Sequence, residues 1–204
     1  MPTGAKYGKS AECKIEMKKK MKIATALAAA AAAAFSLLYK FRSVGIFYSL
    51  AITFGTAFYH LAMRLSVGFI VGVIMNNKAD FRSRRFAVGK SEMSFYEKLN
   101  VKNLMSGMPA YEPDTFNPKL HSWEEIAMAG CQAERVHEII ALLSFLPIAA
   151  GVWFGAYPVF IITSVLSAAF DFSFVIRQRY NRARITAFLE RKKESEKRMG
   201  ENRK

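Results

Sequence analysis

The sequence predicts an all-α fold: an integral membrane helical bundle of about four transmembrane helices with a cytoplasmic loop region. Three observations predict it. Hydrophobic residues make up 52% of the 204 and charged ones 23%, and the two classes are segregated along the chain. Four apolar runs, at 23–39, 44–75, 137–155 and 158–176, approach or exceed the roughly 20 residues a helix needs to cross a bilayer core. The basic charge collects at the two ends. Residues 1–22 hold seven Lys against two Glu, and 177–204 hold eleven Lys/Arg against four Glu, so +12 of the net +14 lies beside apolar segments. Polybasic stretches next to a span gain about 1 kcal/mol per charge at an anionic leaflet. Membrane lipids are therefore the partners this composition implies. No folded basic motif for a duplex is visible, so nucleic acid is not expected.

The lysine-rich tail 1–22 is expected to be disordered and cytoplasmic. Span 23–39 follows, and its run of seven alanines at 28–34 makes a good helix that is only weakly hydrophobic. A basic segment before an apolar one also fits a signal peptide. No small-x-small cleavage site follows, since residues 35–40 read Phe-Ser-Leu-Leu-Tyr-Lys, and an uncleaved span is expected. The 44–75 run has His60 and Arg64 as its only candidate charges. As one helix its 32 residues would extend about 48 Å against a hydrocarbon core of about 30 Å. It is either a tilted helix or one broken near Gly68 or Gly72. His60 and Arg64, four apart, share a face and mark an intramembrane partner or pathway, with Asp171 or Glu138 the candidate partner of Arg64.

The polar loop, 76–136, opens with Lys78, Arg82, Arg84 and Arg85. By the positive-inside rule these put the exit of the second span in the cytoplasm. Four crossings of the plasma membrane with both termini in the cytoplasm satisfy all the end charges except Lys40 and Arg42. Residues 91–105 are loosely amphipathic through Met93, Tyr96, Leu99 and Leu104, as a surface-lying segment would be. Turns are expected at 107–114 and at Asn117-Pro118. Ser122 with Glu125 has the spacing of a capping box, so a helix restarts there. Cys13 and Cys131 both fall in segments assigned to the cytoplasm, so no disulfide is expected, and Cys131 reads as a small buried side chain.

The last two spans form a hairpin about Tyr157-Pro158. Residues 139–153 carry no charge and 159–176 carry only Asp171. Folding back brings two polar mouths, 133–138 and 177–184, to one membrane surface. The basic tail 191–204 follows. Glu134 and His137 are three apart, hence neighbours on a helix. A carboxylate beside an imidazole can fix its tautomer and make it a general base, although an interfacial polar cap has the same pattern. E-x-x-H also occurs in di-metal bundles, which need further carboxylates. His121, Glu124 and Glu125 supply them in a different order, and no metal is expected. Arg177, Arg179, Arg182 and Arg184 could be plain anchors. Their planar forks also suit phosphate or carboxylate oxygens, with Tyr180 and Asn181 positioned between them. Asp171, costly at its depth unless paired, is either the partner of Arg64 or a member of the site.

Ala133-Glu134-x-x-His137, Leu146-Pro147 and Gln178-Arg179-Tyr180-Asn181-Arg182-x-Arg184 together resemble the membrane glycosyl-diaponeurosporenoate acyltransferases of bacterial carotenoid (staphyloxanthin-type) synthesis. Those proteins carry a similar A-E-x-x-H, an L-P in the next apolar run and a near-identical Q-R-Y-N-R-x-R. The resemblance implies fatty acyl transfer to a hydroxyl of a glycosylated lipid or carotenoid-like acceptor. Acyl-CoA or acyl carrier protein would be the donor, and no bound cofactor is implied. On that reading His137 is the general base, oriented by Glu134. Arg179, Asn181, Arg182 and Arg184, with Tyr180, hold the donor or stabilise the oxyanion. The H-x-x-x-x-D signature of soluble glycerolipid acyltransferases is absent. The polar features taken alone also fit a non-enzymatic membrane assembly or docking protein, or a small membrane methyltransferase or reductase with a phosphorylated cofactor at the arginines.

Overall fold

The computed structural model describes residues 4–104 and 113–201, with side chains from Met17 onward other than those of Leu104 and Pro113. The turns expected at 107–114 fall almost entirely outside the described residues. Every long element is helical: α1 (Gly4–Arg42), α2 (Gly45–Met75), α3 (Lys90–Lys98), α4 (Val101–Leu104), α5 (Trp123–Leu143), α6 (Leu146–Phe154) and α7 (Tyr157–Glu201). No strand forms among the described residues. Four helical stretches are long and apolar enough to cross a membrane: Met17–Arg42, Gly45–Met75, Trp123–Phe154 and Tyr157–Glu201.

The N-terminal tail differs from expectation. The lysine-rich N-terminal segment is helical from Gly4, continuous with the alanine run. Lys, Glu, Met and Ala all favour helix, and extending an existing helix avoids a new nucleus. At the other end α7 continues through the arginines to Glu201, with Lys192–Glu196 and Lys197–Glu201 pairs at helical spacing. The 44–75 question resolves to one unbroken helix, α2.

The chain divides into two units. The first comprises Met1–Ile70 with Val136–Phe172, the second Val71–Arg135 with Ser173–Lys204. In the first unit the usual order of burial is inverted. Thr56, His60, Ser144, Ser164 and Asp171 are buried, while Leu142, Val152, Trp153 and Leu166 are each at least 65% exposed. An apolar outside around a polar inside suits lipid rather than water. Phe35 stacks on Phe54 with ring centroids 5.5 Å apart, joining α1 to α2.

The third apolar run is not one helix. It breaks at Ser144-Phe145, between α5 and α6, and Pro147 supplies the reason. Lacking an N–H, it cannot donate to the Leu143 carbonyl. The Tyr59 hydroxyl donates there instead, at 2.8 Å. After α6 the chain reverses through Gly155, whose φ of 69° is left-handed and cheap only for glycine. Gly151 is required by close approach, since a Cβ there would lie 2.5 Å from the Tyr157 ring.

The second unit has a conventional core of Phe81, Phe86, Ala127, Cys131 and Leu189. Cys131 is fully buried, as a small apolar side chain would be. A smaller cluster gathers Tyr96, Val101 and Tyr180. The capping box forms: Ser122 N–H donates to Glu125 Oε2 at 2.7 Å and Glu125 N–H to Ser122 Oγ at 3.2 Å. Asn117-Pro118 makes its turn, with Lys119 N–H donating to Asn117 Oδ1 at 3.0 Å.

Candidate active site

Within the first unit a hydrogen-bonded chain links α5, α7 and α2. Asp171, 1% exposed, lies at its centre. Its Oδ1 accepts from His137 Nδ1 at 2.9 Å, and its Oδ2 accepts from Arg64 Nη2. A carboxylate this deep in apolar surroundings needs such partners. The same guanidinium nitrogen donates to Ser167 Oγ at 2.8 Å. Ser167 and Ser144 hydroxyls are 3.0 Å apart. Ser144 spends its one proton on the Ile140 carbonyl at 2.8 Å, so Ser167 is the donor between them. The chain therefore has a direction, from Arg64 through Ser167 and Ser144 to a backbone carbonyl.

That geometry fixes the imidazole. A carboxylate only accepts, so the Asp171 contact places a proton on His137 Nδ1 and leaves the lone pair of the neutral ring on Nε2. Asp171 thus holds both residues between which the sequence left it undecided: Arg64 and the candidate base. His60 is buried on α2, its ring edge against Tyr59 at 5.4 Å. Its backbone carbonyl accepts from Arg64 Nη1 at 3.4 Å, while neither ring nitrogen has a hydrogen-bond partner among the described residues.

Glu134 lies three residues before His137 on α5 but belongs to the second unit, and its partners are there. Its Oε1 accepts from Arg179 Nη1 at 2.9 Å, and its Oε2 from Arg182 Nη1. Arg179 also clamps Glu92 with Nε at 2.6 Å and Nη2 at 2.9 Å. Arg182 directs Nε and Nη2 at the Phe86 carbonyl, 3.2 and 2.8 Å away, with its guanidinium 5.0 Å from the Phe86 ring. The pairing of His137 is therefore with a residue 34 positions on, and Glu134 is taken by two guanidiniums.

Two acids and two arginines close this second network, and Glu92 joins it through a signal the sequence barely gave. Glu92 is four residues before Tyr96 on α3, and the Tyr96 hydroxyl donates to it at 2.5 Å. The Arg179 clamp holds the Glu92 carboxyl below its ordinary range. Burial, and then the Glu92 contact, push the Tyr96 phenol up to about 12. Tyr180 is buried with its ring edge-on to Tyr96. Asn181 and Arg184 are exposed. They stand on the wall of a cavity of about 410 Å3 in the second unit, whose other walls include Phe116, Trp123 and Phe188. Among the described residues no three His, Cys, Asp or Glu side chains gather as metal ligands would.

A family model described as glycosyl-4,4'-diaponeurosporenoate acyltransferase matches residues 77–191, more than half of the 204. No curated protein and no solved structure matches the chain.

Proposed function

This chain belongs to the glycosyl-4,4'-diaponeurosporenoate acyltransferase family and is an acyltransferase, and from that premise we propose a membrane O-acyltransferase that esterifies a hydroxyl of a glycosylated lipid or carotenoid-like acceptor. The observation that carries the chemistry is the Asp171–His137 contact of 2.9 Å. His137 Nε2 takes the proton of the acceptor hydroxyl as its oxygen attacks the carbonyl of an acyl thioester, from acyl-CoA or acyl carrier protein. The new C–O bond forms, the C–S bond breaks, and the imidazolium returns its proton to the departing thiolate. Asp171 keeps the ring in its productive tautomer and stabilises the cation formed in the step.

Asn181 and Arg184 take the donor-binding role, because they are exposed on a cavity wall. Arg179, Arg182 and Tyr180 build that part of the protein, since their polar groups and ring are already engaged. The plasma membrane is the setting, with both termini cytoplasmic. This is supported by four apolar helices and by the lysines and arginines that follow the second and fourth spans.

Purified protein in lipid nanodiscs, given a glycosylated lipid and either thioester, should yield acylated product detectable by mass spectrometry. His137→Ala should abolish it with the helical spectrum intact. No product from either thioester, or full activity in that variant, would sink the mechanism.

A further inference from the structure

The arginines of 177–184 are not equivalent in the partners they meet among the described residues. Arg179 and Arg182 are matched by Glu92 and Glu134. Arg184 meets no carboxylate among the described residues; its guanidinium lies 5.6 Å over the Tyr180 ring and on the wall of the 410 Å3 cavity. That volume is within the range of sites that enclose a small organic ligand. Among the described residues no acidic side chain lines the cavity. Three aromatic rings do: Phe116, Trp123 and Phe188, the last two packed edge to face at 5.7 Å. Gln178 and Asn181, one helical turn apart on α7, add two side-chain amides to the same wall.

Each feature states a requirement on the occupant. One unmatched guanidinium calls for one anionic group, and its fork suits a phosphate. Paired amides can both donate and accept, so they complement amides of a ligand chain. Aromatic walls favour a slender, partly apolar chain between those points. Among the described lining residues Arg184 is the one unmatched cation, so a single phosphate fits here and the further phosphates of a nucleotide such as the far end of CoA would stay outside the cavity. We infer that this cavity holds the phosphopantetheine arm of the acyl donor, its phosphate on Arg184 and its amides against Gln178 and Asn181. The inference rests on the acyltransferase reading above. The arm is common to acyl-CoA and acyl carrier protein, so the cavity recognises what the two donors share.

The chain has two tryptophans, Trp123 and Trp153, so Trp153→Phe leaves a single reporter on the cavity wall. The full-length variant in phosphatidylcholine nanodiscs is titrated with 4'-phosphopantetheine and with pantetheine while Trp123 fluorescence is followed. Phosphopantetheine should bind at least about tenfold tighter, the worth of one charge-assisted contact. Arg184→Gln should erase that difference without changing the pantetheine affinity, and Arg184→Lys should keep part of it. CoA and a holo acyl carrier protein are then titrated in turn, and the one that acts at lower concentration identifies the donor's carrier.

Equal affinity for the two pantetheines, indifference of either to Arg184→Gln, or no response to CoA and carrier protein alike would overturn the assignment. So would a response to phosphatidylglycerol nanodiscs that phosphopantetheine cannot displace, which would make this a lipid headgroup site. Acyl transfer that needs His137 but not Arg184 would refute this inference alone. Arm binding with the expected phosphate dependence, but no ester product, would refute the acyl-transfer reading and leave the cavity's ligand standing.

Discussion

In the first unit one carboxylate, Asp171, serves two unlike nitrogen groups, the guanidinium of Arg64 and the imidazole of His137. In the second unit two carboxylates, Glu92 and Glu134, face two guanidiniums, Arg179 and Arg182. The second arrangement balances: two negative charges, two positive charges, and the remaining Arg182 donors on a backbone carbonyl. It resembles a fastening, with Glu134 and Arg182 each 1% exposed. The first arrangement includes an imidazole, oriented by a buried acid. On the proposed mechanism it is that one which accepts and returns a proton. On that reading buried charges mark architecture in one region and chemistry in the other, although Glu134 and His137 are three residues apart on the same helix.

The sharpest way to break this contrast is to neutralise each central acid isosterically and express activity per folded molecule. Asp171→Asn removes the group that fixes the His137 tautomer, and activity should fall by about 10²–10⁴-fold. Glu134→Gln leaves two guanidiniums without their shared carboxylate, one of them buried. It should cost roughly 3–5 kcal/mol of stability, read as a lowered thermal midpoint in detergent, with the activity of the surviving folded fraction changed little. Were Glu134→Gln the one that loses turnover while keeping its midpoint, the roles would be reversed and Glu134 would return as the orienting acid.

How much of this was legible in the sequence depended on distance along the chain. The four apolar runs and the Ser122–Glu125 box are local patterns, and both are present. Arg64 with Asp171 could be anticipated because two opposite charges in apolar spans have few other places to go. His137 with Asp171 could not, since 34 residues separate them and the nearer Glu134 offered a ready-made pair. Helical adjacency shows that two side chains can meet; it does not show that they outbid other partners. Arg179 and Arg182 surround Glu134 from α7, and two charge-assisted contacts outweigh one to an imidazole. Glu92 was invisible for the same reason, its clamp to Arg179 spanning 87 positions. The break after α5 is half legible: Leu146-Pro147 stands out as a motif, but Tyr59, which caps the freed Leu143 carbonyl, lies 84 residues upstream of it.

That cap gives a test of the first unit's construction. Tyr59→Phe removes the donor to the Leu143 carbonyl and leaves Pro147 unable to replace it. The loss should be about 1–3 kcal/mol, the usual cost of stranding a buried acceptor, measured as a shift in the thermal midpoint. Ser144, the next residue, ends the Arg64–Ser167–Ser144 chain, so a modest fall in activity should accompany it. An unchanged midpoint would mean that the break between α5 and α6 needs no cap from α2.

The smallest effect sharpens the other side of the contrast. Arg179 depresses the Glu92 carboxyl, chiefly through their hydrogen bonds. A carboxyl with a folded-state pKa below its unfolded one, near 4.3, stabilises fully above that unfolded value. The contribution is lost as pH falls through the lower folded value. Wild-type protein should therefore be more stable than Glu92→Gln at neutral pH by about 1 kcal/mol, the worth of a partly exposed bidentate pair. The advantage should shrink below about pH 4 and vanish once the folded-state carboxyl is protonated. Thermal midpoints of the two proteins, measured across that range, should converge on the acid side. If, as proposed, Glu92 belongs to the fastening and not to the proton path, the pH profile of activity per folded molecule should be the same in both. A profile that moved with Glu92 would join the second network to the chemistry, and the division between the two regions would no longer hold.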